Sequence, residues 1–345
     1  MSKELVIVTG GAGYIGSHTI IELLDNGFDV VSLDNFSRST RETFDYIENI
    51  TGRRVMNYEV DLCNPVEVDA VFDQLQRAIG LIHFAAFKSV PESVASPELY
   101  YYNNLTSLLN VLNSSKKYSI NNIVFSSSCS VYGDITELPV SEQTVLSEPK
   151  SPYAGTKIIG EKIMSDVCRA HKLNAMCLRY FNPVGAHPSG LIGENPLNKP
   201  DNLVPVITQT ANGKRPSMEV FGGKLNTRDG SCIRDYVHVT DIANAHVLAL
   251  QYLEGKKNVF EIINLGTGSG VSVFEAITTF EKVSGVQLNY KVGEPREGDV
   301  IEIYSNVEKA KQVLGWQPKY NINDMMSSAW KWEVYISGVN QETNQ

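Results

Sequence analysis

Ser151-Pro152-Tyr153-Ala154-Gly155-Thr156-Lys157, near the middle of the chain, places a phenol and an ammonium four residues apart. On a helix, residues at that spacing lie one above the other on a single face. A phenol titrates near about 10 in water, too high for a base at neutral pH. A neighbouring cation favours the phenolate, so Tyr153 and Lys157 predict a general acid/base for an alcohol proton, with Lys157 drawing the phenol down. Spacing alone does not select this pair, because Tyr252 and Lys256 repeat it. That second pair runs into Gly255-Lys256-Lys257 and reads as a solvated helix end. What distinguishes the first is its company. Val124-Phe125-Ser126-Ser127-Ser128 reads as a buried strand that delivers the Ser128 hydroxyl, and a glycine loop opens the chain.

Such groups need a scaffold, and the first sixty residues spell one out. Leu5-Val6-Ile7-Val8-Thr9 is a short, near-continuous apolar run, as expected of a strand buried on both faces. Gly10-Gly11-Ala12-Gly13-Tyr14-Ile15-Gly16 follows, and 17–26 carries a helical pattern ended by Asn26-Gly27. A second strand, 28–33, puts Asp34 at its carboxyl end. Strand, glycine turn, helix, strand and acid make a dinucleotide-binding unit. Gly10 and Gly13 let the backbone turn and approach a pyrophosphate. The helix N-terminus at Tyr14 and Ile15 offers amide donors, and Gly16 permits close helix–strand packing. Asp34 accepts from both ribose hydroxyls and repels a 2′-phosphate, which predicts NAD rather than NADP. A later glycine run, Gly266-Thr267-Gly268-Ser269-Gly270, has Val271 where the third glycine belongs and reads as a βα connection.

The alternation continues with strands over 55–60, 81–86, 123–128 and 175–180. Helices are expected over 66–79 and 97–117 and around Tyr153. This predicts an α/β fold with a doubly wound parallel sheet of Rossmann type. Beyond Asn182-Pro183 the texture changes, and 188–203 is rich in Pro, Gly and Asn. We therefore expect an NAD-binding domain over 1–181 and a smaller, mainly substrate-binding α/β domain over 182–345. A segment near 234–246 is expected to return to the first domain, with a strand over 234–239.

Composition narrows the partners. The net charge of −9, with no basic run, argues against nucleic acid or an anionic membrane. No apolar run approaches the roughly 20 residues of a membrane span. Met1-Ser2-Lys3-Glu4 lacks the pattern of a signal peptide. Five cysteines without a C-x-x-C pair read as reduced thiols of a cytoplasmic protein, with no metal site. His18, His83, His187 and His238 lack metal-ligand spacing and read as packing or hydrogen-bonding groups.

Several longer stretches carry a resemblance. They are 9–18, Ser126-Ser127-Ser128-Cys129-Ser130-Val131-Tyr132-Gly133, Ser151-Pro152-Tyr153, 178–190 with its Asn182-Pro183-Val184-Gly185-Ala186-His187-Pro188, and Arg296-Glu297-Gly298-Asp299. Together they resemble the UDP-glucose 4-epimerase family of the extended short-chain dehydrogenases over nearly the whole chain. The resemblance implies an isomerase acting on UDP-glucose and UDP-galactose through a 4-keto sugar. NAD stays tightly bound, Tyr153 is the base, and Ser128 and Lys157 support it. It further implies cofactor contacts at Asn35, Asp61, Leu62, Phe84, Ala85, Lys88, Asn103 and Tyr180. Substrate contacts are implied at Asn182, Asn202, Leu203, Phe221, Arg234, Arg296, Asp299 and Ile303, together with a homodimer packed through 97–117 and 153–169. Weaker activity on UDP-N-acetylhexosamines is expected from Ile303. Related dehydratases carry an acid just after the active-site hydroxyl residue. Cys129 and Ser130 stand there instead, which counts against dehydration. Retention of Tyr153, Lys157 and Ser128 argues against a non-catalytic NAD-sensing protein.

Overall fold

The computed structural model describes residues 3–295 and 300–338. Seven parallel strands form the central sheet in the order β11-β6-β5-β4-β1-β2-β3. They are β1 (Leu5–Thr9), β2 (Asp29–Leu33), β3 (Met56–Tyr58), β4 (Ala78–His83), β5 (Asn122–Ser128), β6 (Asn174–Tyr180) and β11 (Phe260–Leu265). Successive side chains on a strand point to opposite faces, so a strand covered on both sides must be apolar throughout. Val6, Val8, Val124 and Met176 face α1 (Tyr14–Asp25) and α8 (Val239–Leu253). Leu5, Ile7, Leu81, Ile123 and Phe125 face α3 (Pro65–Gln74), α5 (Pro97–Lys117) and α6 (Pro152–His171). Two short helices, α2 (Glu42–Thr51) and α4 (Val90–Ala95), complete this half.

Smaller pieces build the other half. β7 (Asn182–Val184) pairs with β10 (Tyr236–His238), and β8 (Met218–Phe221) with β13 (Tyr290–Gly293). β9 (Ile233–Arg234) lies between β12 (Val271–Ser272) and β14 (Glu302–Ile303). Around them α7 (Leu203–Ala211), α9 (Val273–Ser284) and α11 (Ile322–Ile336) enclose a second core that includes Ile207, Val220, Phe280 and Met326. α10 (Glu308–Leu314) sits against β11 and α8. No helix among the described residues is long and apolar enough to cross a membrane.

Four expected elements change. The helix expected over 66–79 stops at Gln74, and Ala78 already opens β4. Ala78 pairs with Leu5, so the sheet ladder claims Ala78 and Ile79, whose apolar spacing suited a helix. β4 then ends at His83, and Phe84-Ala85 leave the ladder at the cleft. The strand expected over 55–60 shrinks to the three residues of β3 at the sheet edge. The strand expected over 234–239 is broken at Asp235. Its buried carboxylate accepts from the amides of Thr267, Gly268 and Ser305 and from the hydroxyls of Thr267 and Ser305, at 2.6–3.1 Å. Five donors on one side chain hold the chain bent, so β9 and β10 join different sheets. The Gly266–Gly270 run connects β11 to β12 and α9, as a βα connection should. β11 itself completes the first sheet beside β6, a return that lies beyond 234–246.

Candidate active site

Every strand of the large sheet runs the same way, so its carboxyl ends meet along one edge, where α/β proteins bind ligands. Gly10 sits there with φ +70°, and a Cβ on it would stand 2.8 Å from the Ala85 amide nitrogen. On Gly16 a Cβ would run into the Gly10 carbonyl oxygen. Any side chain at either position would push apart the turn, the helix and the strand end. α1 begins at Tyr14 with Gly13 as its N-cap and no side-chain cap, which leaves its first amides for an anion. Asp34 follows β2. Its carboxylate accepts from the Ala12 amide at 3.0 Å, and from the Phe36 amide and Ser39 hydroxyl at 2.9 Å each. Burial raises the Asp34 pKa, and these donors hold it down. The donor set, the glycine cradle and the acid fit a dinucleotide.

α6 brings the acid/base pair to the same edge. The Ser151 hydroxyl accepts from the Ala154 amide at 3.2 Å as N-cap, and Pro152 fixes the first turn. Tyr153 therefore stands at the mouth of the helix, with Lys157 one turn deeper. A Cβ at Gly160 would lie 2.7 Å from the Phe125 ring, so glycine there lets α6 press onto β5. Lys157 is 4% exposed, and its ammonium donates to the Ser126 carbonyl at 2.7 Å and the Ser126 hydroxyl at 3.1 Å. Burial lowers its pKa to about 8. Tyr153 behaves otherwise than the residue spacing predicts: burial pushes its phenol up to about 12, while a hydrogen bond with Ser128 pulls it back. The Lys157 nitrogen is 5.8 Å from the centre of the Tyr153 ring and is engaged by Ser126. In the folded chain the pair is thus a protonated phenol beside a weakened ammonium.

The remaining residues expected at the site fall into several groups. Phe84, Ala85, Asp61, Leu62 and Tyr180 occupy the strand ends, and Tyr180 shares a hydrogen bond of 2.6 Å with His246 on α8. Asn35 and Asn103 bond locally, to Ser37 at 3.1 Å and Asn104 at 3.0 Å. Lys88 and Asn202 are drawn together by a residue the sequence did not single out. Glu194 accepts from both through one carboxylate oxygen, at 2.9 Å each. On the far side of the cleft, the Asn182 backbone amide donates to the Asp235 carbonyl, and the Asn182 side-chain oxygen is buried with no hydrogen-bond partner among the described residues. Such an orphaned acceptor suits a donor on a ligand. Arg234 is held by the carbonyls of Ile233 at 3.0 Å and Ile301 at 3.4 Å. Leu203 and Phe221 stand at the start of α7 and the end of β8. Arg296 and Asp299 lie outside the described residues.

The bland readings also have a place in the structure. Lys256 lies beyond the end of α8, stacked on the Tyr252 ring. His18, His83 and His238 hydrogen-bond to Tyr14, Thr9 and Ser328 at 2.8, 2.8 and 3.1 Å. All five cysteines are free thiols, and no cluster among the described residues could hold a metal ion. Cys129 is pushed up to about 12 by burial, so a neutral thiol stands where dehydratases need an acid.

Residues 6–266 match the profile of the NAD dependent epimerase/dehydratase family. The chain belongs to that family. It is also 44% identical over 331 residues to the UDP-glucose 4-epimerase of Dictyostelium discoideum, covering 96% of each protein. Among solved structures it is similar to the UDP-glucose-4-epimerase of Stenotrophomonas maltophila with bound NAD and formylated UDP-arabinopyranose. That match has a TM-score of 0.94 and 38% identity over 97% of this chain and 99% of the other. The enzyme from Bifidobacterium longum in complex with NAD+ and UDP gives a TM-score of 0.92 at 41% identity, covering 96% and 98%. Within the family, the chain therefore falls among the UDP-glucose 4-epimerases.

Proposed function

We propose that this chain is an isomerase that interconverts UDP-glucose and UDP-galactose by inverting C4 of the hexose. The observation that carries the reading is the meeting of Ser128, Tyr153 and Lys157 at the carboxyl edge of a sheet whose glycine turn and Asp34 fit NAD. When bound, NAD supplies a hydride acceptor for C4, through a 4-keto sugar, and a positive charge in the cleft. Tyr153 takes the proton of the sugar 4-hydroxyl, directly or through Ser128, and gives it back. A phenol held near 12 needs added positive charge to become that base, which ties proton removal to a loaded site. Lys157 supplies part of that charge and orients the cofactor. Residues 1–181, with α8 and β11, form the cofactor half, and the rest mainly holds the nucleotide-sugar. There Asn182, Asn202 and Arg234 would grip the diphosphate, leaving the sugar free to turn. Binding energy from that remote handle serves the reacting end.

Purified protein incubated with UDP-galactose and no added NAD is expected to yield UDP-glucose, and failure after reconstitution with NAD would refute the reading. On the same preparation, light scattering is expected to give twice the chain mass. A homodimer through α5 and α6 would cover Leu99, Tyr102, Leu109 and Ile159, which are exposed apolar side chains on those helices. Five free thiols suit the reducing cytoplasm.

Cofactor choice gives a separate expectation. A 2′-phosphate would meet the Asp34 carboxylate, already ringed by Ala12, Phe36 and Ser39, with no arginine among its hydrogen-bond partners in the described residues. Stripped protein should regain activity with NAD and not with NADP. Equal recovery with both would remove Asp34 from the selection.

A further inference from the structure

Behind the catalytic groups, β5, β6 and α6 enclose an ion pair that the proton transfer does not use. Glu161, one turn beyond Lys157 on α6, is 5% exposed, and Arg179 on β6 is 3% exposed. The guanidinium takes both carboxylate oxygens, at 2.9 and 2.7 Å. The Ser127 hydroxyl donates to the same carboxylate at 2.5 Å. Arg179 also donates to the Tyr132 hydroxyl at 3.0 Å, which donates in turn to Asn264 at 2.6 Å. Two buried charges are weak as a stabilising device, since apolar residues of like volume often serve as well. Their placement points to another task.

Building on the epimerase reading, we infer that Glu161 is a positioning residue for that reaction: it ties the strand and turn carrying Ser128 to the helix face carrying Tyr153 and Lys157. Ser127 immediately precedes Ser128, and Tyr132 closes the 3₁₀ turn that follows it. Glu161 reaches both, one directly and one through Arg179, from the helix that carries the base. A displacement of about 1 Å between reacting groups can cost about a hundredfold in rate, so one carboxylate gripping both sides matters.

The same carboxylate also sets the electrostatics around Lys157. Tyr153 and Glu161 face the ammonium from α6, His83 from β4, and Ser126 with the Phe125 ring from β5. From β6 comes Cys177, with Tyr180 hydrogen-bonded to Ser126 and Arg179 held on Glu161. Burial keeps the Cys177 thiol and the two phenols neutral, and lowers His83 to about 3. Glu161 is thus the negative charge that opposes the desolvation of Lys157.

E161Q removes that charge while keeping the shape. The alkaline limb of kcat on UDP-galactose is expected to move about one pH unit lower, with kcat at pH 8 reduced about fivefold and KM within about twofold. In [15N]lysine-labelled protein, the titration midpoint of the Lys157 Nζ resonance should move the same way, a readout that needs no turnover. E161D, which keeps the charge on a shorter arm, should restore both midpoints but only part of kcat. A uniform loss of kcat with an unmoved limb, or an unmoved Lys157 midpoint, overturns the inference. Should E161Q not fold, the paired E161Q/R179M variant, with no lone buried charge, is read by the same midpoints and the same criteria. If the wild type fails to turn over UDP-galactose, the epimerase reading falls, while the Lys157 titration still decides what Glu161 does.

Discussion

Tyr153→Phe is expected to reduce turnover of UDP-galactose by about 10²–10⁴-fold, the range for losing a general acid/base. That is about 2.7–5.4 kcal/mol of transition-state stabilisation. The substitution deletes one buried hydroxyl and keeps the ring. Ser128 loses one partner but still receives the Ser130 amide at 3.2 Å. The cost in folding is that of one hydrogen bond, about 1 kcal/mol. NAD occupancy should persist, because the glycine cradle, the α1 N-terminus and Asp34 are built from other elements. Absorbance of the purified variant measures the occupancy, and product formation measures the rate. A variant that keeps more than about a third of the wild-type rate would mean that the proton leaves by another group.

What the sequence could reveal depended on how local the physics was. β1, the glycine turn and Asp34 are legible because each rule acts within a few residues: full burial of a strand, a backbone that must turn, an acid at a strand end. The start of α6 follows an equally local rule, with Ser151 as N-cap and Pro152 in the first turn. Asp235 is different. Its five donors come from the loop after β11 and from Ser305, so the break between β9 and β10 is invisible in the run Arg234–Val239. Glu194 and Glu161 were missed for the same reason. A carboxylate shared by Lys88 and Asn202, or by Ser127 and Arg179, is a tertiary fact. The Tyr153 phenol shows the limit of pair rules most clearly. Spacing predicts a cation beside it, but burial acts on both members at once and outweighs the pairing.

Ile303→Tyr is expected to lower kcat/KM for UDP-N-acetylgalactosamine about tenfold to a hundredfold more than for UDP-galactose. That corresponds to about 1–3 kcal/mol of added crowding. The family resemblance puts the residue four places after Asp299 beside the sugar 2-position, and the structure bears on which residue fills that wall. On β14, Ile303 lies opposite Arg234 of β9 and is 5% exposed, packed with Val131, Tyr132, Val140 and Phe181. Val131 and Tyr132 belong to the 3₁₀ turn that begins immediately after Ser128. Tyr304 goes elsewhere: its carbonyl accepts from the Val140 amide at 3.0 Å, and its ring lies against Gly270. Ser305 turns inward again to Asp235 at 2.6 Å. This alternation fixes the register with Ile303 towards the catalytic turn. Ile is smaller than Tyr but stiff at χ1, so it leaves limited room for an acetamido group. The wild type should therefore turn over the N-acetyl sugar measurably but more slowly than UDP-galactose. Because a Tyr in this apolar cluster also strains the fold, the ratio of the two kcat/KM values is the readout, since a general loss cancels in it. An unchanged ratio, or no acetylated turnover in the wild type, would remove Ile303 as the wall.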